Sequence, residues 1–194
     1  NVLIFNGEIY NHQELRKKIN KSYSNLNWKG FSDTETLVNA ISFWGFKKTL
    51  RELNGMFAIA LFDKKDKKLF LARDHLGQKP LYYGYNNSRF IFGSELKAIK
   101  NHRSFLGEID RGSLSLQLKY GYIPAPKTIY KGINKLLPGT FVEISLNNIQ
   151  DIQSPKAYWS FLNVAKQGSN NRLLGNEKEI IADLDNLLGK SGNS

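Results

Sequence analysis

The chain contains no cysteine among its 194 residues. That excludes disulfides, thiolate metal sites and thiol chemistry carried by these residues themselves. Histidine is scarce too, and His12, His75 and His102 stand in no metal-ligand spacing. No apolar run approaches the ~18 residues that would cross a bilayer. No secretory signal is visible in the polar-interrupted opening Asn1-Val2-Leu3-Ile4-Phe5-Asn6, so a cytoplasmic setting is the expectation. Acidic residues are the scarce charge: 17 Asp and Glu against 28 Lys and Arg give a formal net charge of +11. Such a balance suits a nucleic-acid or anionic partner. The lysines, however, come in pairs (Lys17-Lys18, Lys47-Lys48, Lys64-Lys65, Lys67-Lys68) beside apolar elements, which is the pattern of solvated turns and helix faces. The only methionine is Met56 and the first residue is Asn1, so a fragment or a processed chain is expected.

What is present is a globular composition, 41% hydrophobic and 12% aromatic. The length suits one domain, or one domain plus a piece, and is enough to bury a core. Val2-Phe5 reads as a short strand ending at Asn6-Gly7-Glu8. Asn11 and Glu14 read as a capping box opening a helix that places Leu15 and Ile19 on one face. Ser32 and Glu35 repeat the box ahead of Leu37, Ala40, Ile41 and Trp44, with Gly45 as the stop. A shorter helix is expected around Lys47-Leu53. Met56-Phe62 is apolar at every position, so both faces of that strand must be covered. Leu69-Ala72 returns as its hairpin partner. A second hairpin joins Leu81-Tyr85 to Phe90-Phe92, Ser94 reads as a helix cap, and Val142-Ile144 as a late strand. The polar stretch from Asn147 to Asn171 is the linker candidate. Beyond it Ile180, Ile181, Leu184, Leu187 and Leu188 recur at helical spacing.

Three constellations could carry chemistry. Asn6-Gly7 can aim an amide side chain and an unhindered backbone N–H at one point, as an oxyanion hole requires; the same dipeptide is equally a plain turn. Asp33, in a first helical turn, either complements the helix dipole or holds a substrate ammonium. Arg73-Asp74-His75 could be an acid/base group, but with no nucleophile nearby a tight loop with an internal ion pair is preferred. Tyr120-Gly121-Tyr122-Ile123-Pro124-Ala125-Pro126 could be a nucleic-acid stacking platform; a proline-stiffened loop with its rings on the core is preferred. There is no G-x-G-x-x-G, and Gly189-Lys190-Ser191 lacks the first glycine of a phosphate loop, since Leu184 stands there.

In order, Phe5-Asn11, Ser32-Glu35, Leu53-Asp63, Ala72-Gly84, Phe92-Ala98, Gly121-Gly132 and Leu137-Phe141 resemble the glutaminase domain of glutamine-hydrolysing asparagine synthetases. Tyr158-Trp159 is similar to the aromatic pair that closes that domain. The resemblance implies a class II, N-terminal-nucleophile amidotransferase. Its α+β fold is a four-layer αββα sandwich of two antiparallel sheets, here incomplete at the N-terminus. Residues 1–160 would be the glutaminase domain without its first strands, 161–176 a linker, and 177–194 the start of a synthetase domain. In such enzymes an N-terminal Cys attacks the glutamine amide, its α-amine acting as base, and ammonia passes to a domain where ATP and Mg²⁺ activate aspartate. The resemblance gives Asn6 and Gly7 the oxyanion-hole donors, and Glu8 and Asp33 the grip on the glutamine α-ammonium. It implies no metal ligand in this stretch. Implied partners are glutamine here, aspartate and ATP in the further domain, and a second copy in a homodimer, with no nucleic acid and no membrane.

The nucleophilic Cys, the arginine that clamps the glutamine carboxylate and the S-G-G-x-D-S loop are not among these residues. The chain by itself is therefore expected to be inactive and, with edges exposed, prone to aggregate. Three alternatives stay open: another class II amidotransferase of the amidophosphoribosyltransferase or glucosamine-phosphate synthase type, a Cys-free scaffold domain like that of β-lactam synthetase or an ammonia-dependent enzyme, and a basic nucleic-acid-binding module.

Overall fold

A computed structural model describes residues 1–23, 26–148, 152–173 and 175–192 of the chain. Strand β1 (Val2–Ile9) leads into three helices, α1 (His12–Ser22), α2 (Asp33–Trp44) and α3 (Phe46–Glu52), before β2 (Gly55–Asp63) returns to pair with it. The β1–β2 register is continuous from Val2↔Phe62 to Ile9↔Gly55, so Asn6-Gly7 lies inside the strand and not in a turn. Strand β3 (Lys68–Arg73) forms the expected hairpin with β2. A second hairpin joins β4 (Tyr82–Asn86) to β5 (Arg89–Gly93) through Asn87 and Ser88, both at positive φ, the conformation a tight hairpin turn requires. Then come α4 (Leu96–Lys100), α5 (Arg111–Tyr120), β6 (Ile133–Lys135), β7 (Thr140–Ser145), β8 (Lys156–Ala157), α6 (Phe161–Asn170) and α7 (Glu177–Gly192).

The strands form two antiparallel sheets, ordered β1-β2-β3-β7-β8 and β5-β4-β6. Alternation along β2 divides its apolar run as expected. Phe57, Ile59 and Leu61 meet Leu15, Leu37 and Leu50 of the three helices, while Ala58 and Ala60 face Leu81, Tyr83 and Leu136 beside the second sheet. On the outer face of that sheet, Ile99 of α4 lies over Gly93, and Tyr82 shares a cavity with Leu96 and with Gln117 of α5. Helices, sheet, sheet and helices thus make the four layers.

Local details depart from the sequence expectations for identifiable reasons. Ser32 caps α2 by accepting from the Glu35 N–H (3.2 Å), and Gly45 at φ 79° ends it. Asn11, by contrast, makes no side-chain cap bond. Its amide accepts from the Asn54 N–H (2.9 Å) and donates to the Glu52 carbonyl (2.8 Å), stitching the start of α1 to the entry of β2. Ser94 does not cap α4, whose N-cap is Glu95, because its hydroxyl accepts from Asn6 (3.0 Å). Tyr120 and Tyr122 are mostly exposed instead of lying on the core, since α5 buries only Ser113. Within the linker candidate, residues 149–151 lie outside the described residues. Residues 161–170 form α6, capped by Ser160 and burying no residue.

The sandwich closes at Tyr158 and Trp159, whose N–H groups both donate to the Gly139 carbonyl (2.9 and 3.2 Å). The Tyr158 hydroxyl donates to the Arg73 carbonyl (2.7 Å), and the His75 ring stands edge-on to both aromatic rings, 5.4 and 5.1 Å between centroids.

Candidate functional site

The site begins at the free edge of β1, the outermost strand of the larger sheet. Gly7 allows β2 to approach closely: a Cβ there would stand 2.1 Å from the Met56 carbonyl oxygen. Along an antiparallel edge strand, alternate N–H groups point away from the neighbour. The N–H of Ile9 does so, donating to the Asp33 carboxylate (3.0 Å). The N–H of Gly7, two residues earlier, faces the same way.

Asp33 is the first residue of α2. Its second oxygen accepts from the Thr34 N–H (2.7 Å), so both oxygens are oriented by backbone amides while keeping acceptor capacity. Gly7, Glu8, Ile9, Tyr10, His12 and Asp33 line one cavity of about 430 Å³. Two carboxylates and no Lys or Arg line it, so its electrostatics favour a cationic group. The structure therefore brings Gly7, Glu8 and Asp33 together across 24 residues of sequence. Asn6 does not line this cavity. Its side chain leaves the same face of β1 as that of Glu8 and donates to Ser94, which leaves one of its two amide N–H groups for another acceptor. His12 was identified in the sequence only as unfit for metal; here its buried Nδ1 has no hydrogen-bond partner.

Arg73 and Asp74 make no contact ion pair. Arg73 donates to the carbonyls of Gly77 (2.6 Å), Lys79 (2.7 Å) and Leu136 (2.8 Å). Asp74, fully buried, accepts from the N–H groups of Phe57 (3.2 Å), Gln78 (2.8 Å) and Lys79 (2.9 Å). A buried charge needs its hydrogen-bonding capacity filled, and a tight loop offers main-chain groups at closer range than the neighbouring side chain. Burial lowers the basicity of the His75 ring, against a smaller opposing pull from Asp74. The loop is tight, as preferred from the sequence, but main-chain hydrogen bonds stand where the internal ion pair was expected. Among the described residues no group of three or more His, Asp or Glu side chains that could hold a metal ion is present. No described helix is long and apolar enough to cross a membrane.

Residues 1–159 match the family described as the glutamine amidotransferase domain. The chain is 33% identical over 188 residues to a putative asparagine synthetase [glutamine-hydrolyzing] 2 of Methanocaldococcus jannaschii, covering 94% of this chain and 34% of that protein. It is 40% identical over 149 residues to asparagine synthetase [glutamine-hydrolyzing] 3 of Bacillus subtilis, covering 75% of this chain and 24% of that protein. The chain thus spans about a third or less of the length of these relatives. Among solved structures, glutamine phosphoribosylpyrophosphate amidotransferase from B. subtilis shares the fold, with a TM-score of 0.56 at 17% identity over 81% of this chain and 29% of that one.

Proposed function

This chain belongs to the glutamine amidotransferase domain family, and from that membership we propose that its cavity binds glutamine, as the amide-hydrolysing end of a longer glutamine-dependent asparagine synthetase. The observation that supports the reading is the single cavity shared by Glu8, Asp33 and Gly7. Two carboxylates accept the glutamine α-ammonium. The outward N–H of Gly7 and the uncommitted N–H of Asn6 are the donors for the amide oxygen as it takes up charge. The attacking thiol is not supplied by these 194 residues, which hold no Cys, so the reading requires it from sequence outside them. Attack would form the thioester and release ammonia, and water would then hydrolyse the thioester to glutamate. Aspartate, ATP and Mg²⁺ belong to the synthetase part in this reading, the homodimer to its assembly and the cytoplasm to its setting. Residues 161–176 serve as a linker and 177–194 as the opening of that further part.

The test is ammonia release from glutamine by the protein expressed from its complete reading frame. Asp33→Asn and Glu8→Gln are expected to raise the KM for glutamine by ~10–100-fold each, the worth of a hydrogen bond to a charged group. Asn6→Ala is expected to lower kcat by ~10²–10³ with a smaller change in KM. Activity with added ammonia but none with glutamine would overturn the reading in favour of a scaffold domain.

A further inference from the structure

Arg16 is a buried guanidinium that the glutamine reading leaves unused. It is only 8% exposed, beside the apolar face of α1. Its Nε donates to the Thr36 hydroxyl (2.7 Å), one Nη to the Gly30 carbonyl (2.7 Å) and the other to the Ser32 carbonyl (2.9 Å). Glu35 stands 3.5 Å away and the Trp28 ring lies 4.3 Å beneath the guanidinium carbon. Glu35 also accepts from the N–H groups of Lys29 (2.7 Å) and Gly30 (2.9 Å). Every one of these partners lies in the approach to α2 or in its first turn.

That approach has little else to hold it. Phe31 is 88% exposed, Ser32 is exposed, and the fully buried apolar contacts of α2 begin only at Leu37. Asp33 sits between Ser32 and Thr36, both bonded by Arg16. The backbone that carries its carboxylate is therefore held by a polar fork and not by side-chain packing, and the carboxylate itself is aimed by the Ile9 and Thr34 N–H groups. Three acceptors in different directions suit a planar guanidinium and not an ammonium, which is a single flexible point charge.

We propose that Arg16 is a positioning residue for the candidate site: it fixes the first turn of α2 so that the Asp33 carboxylate meets the ammonium end of the ligand. The inference rests on the reading of the cavity given above. It is distinct from a contribution to folding alone, which would lower the amount of active protein and leave the KM unchanged.

The test is a double-mutant cycle in the protein expressed from its complete reading frame, read as KM and kcat for glutamine. Arg16→Met is expected to raise KM about tenfold while kcat stays within about twofold. In the Asp33→Asn background the same substitution is expected to leave KM where Asp33→Asn alone put it, because two residues acting through one contact do not add. Arg16→Lys is expected to recover only part of the loss, and it is carried through the same cycle should Arg16→Met fail to fold. An equal rise of KM in both backgrounds, or a fall in kcat with KM unchanged, overturns the inference and leaves the glutamine reading standing. A wild-type KM for Asp33→Asn removes that reading, and the inference with it.

Discussion

The two cores of the sandwich are not equally complete. On the helix side, Leu3, Phe5 and Ile9 of β1 are covered by α1–α3 together with Phe57, Ile59 and Leu61. Between the sheets, among the described residues, the cover comes from three strands. Val2 and Ile4, on the other face of the same β1, remain 44% and 58% exposed and line an apolar trough with Ala60, Phe62, Leu69 and Phe92. The candidate site straddles this difference. Asp33, against the Ile9 N–H, stands on the side the helices cover. Asn6, against Ser94, stands on the open side. The first is held by main-chain N–H groups and the Arg16 fork, the second by a single side-chain hydrogen bond.

Substitutions on each side can break or sharpen the contrast. The largest effect is expected at Phe57, fully buried on the helix side: Phe57→Ala should cost about 3–5 kcal/mol in urea unfolding followed by tryptophan fluorescence. A smaller, pH-dependent effect is expected at Glu143, on the helix-side face of β7. The Lys68 ammonium, hydrogen-bonded at 2.7 Å, holds its carboxyl below the usual range, with burial opposing and Lys47 assisting. A carboxyl whose pKa is lower folded than unfolded stabilises the fold above its unfolded pKa, and that contribution is lost as the pH falls through the folded value. The difference in urea midpoint between wild type and Glu143→Gln should therefore be full near pH ~6 and shrink below the ordinary Glu value of ~4.3. The smallest effect is expected at Ile4→Ser, within about 0.5 kcal/mol, because the exposed side chain has little cover to lose. A cost at Ile4 comparable to that at Phe57 would show the trough to be covered in solution.

Much of this was legible from residue patterns. The doubly apolar β2 marked an inner strand of a layered structure, and Ser32 and Gly45 bounded α2 as expected, whereas the grouping of Gly7, Glu8 and Asp33, which do line one cavity, came from the family resemblance and not from the residues alone. What was hidden was the choice of partner among polar groups. Asn11 carries a cap signature yet bonds residues more than forty positions away. Ser94 carries one too, but its hydroxyl is taken by Asn6. Arg73 and Asp74 invite pairing as neighbours but each satisfies main-chain groups. Arg16 looks like any helix-surface arginine, because nothing local marks that its acceptors arrive from residues 30–36. Periodicity reports burial one element at a time, whereas the pairing of polar groups is decided only when the elements meet.

The closing contacts at Tyr158 and Trp159 have a consequence for whatever the chain carries beyond them. A tether attached to a swivelling end samples a wide and shifting volume, whereas one attached to a fixed point samples a sphere around that point. Here the exit is fixed by the Gly139 and Arg73 carbonyls and by the His75 ring. The effective concentration of any downstream group near the cavity is then set by the distance from this exit and by the reach of the intervening residues.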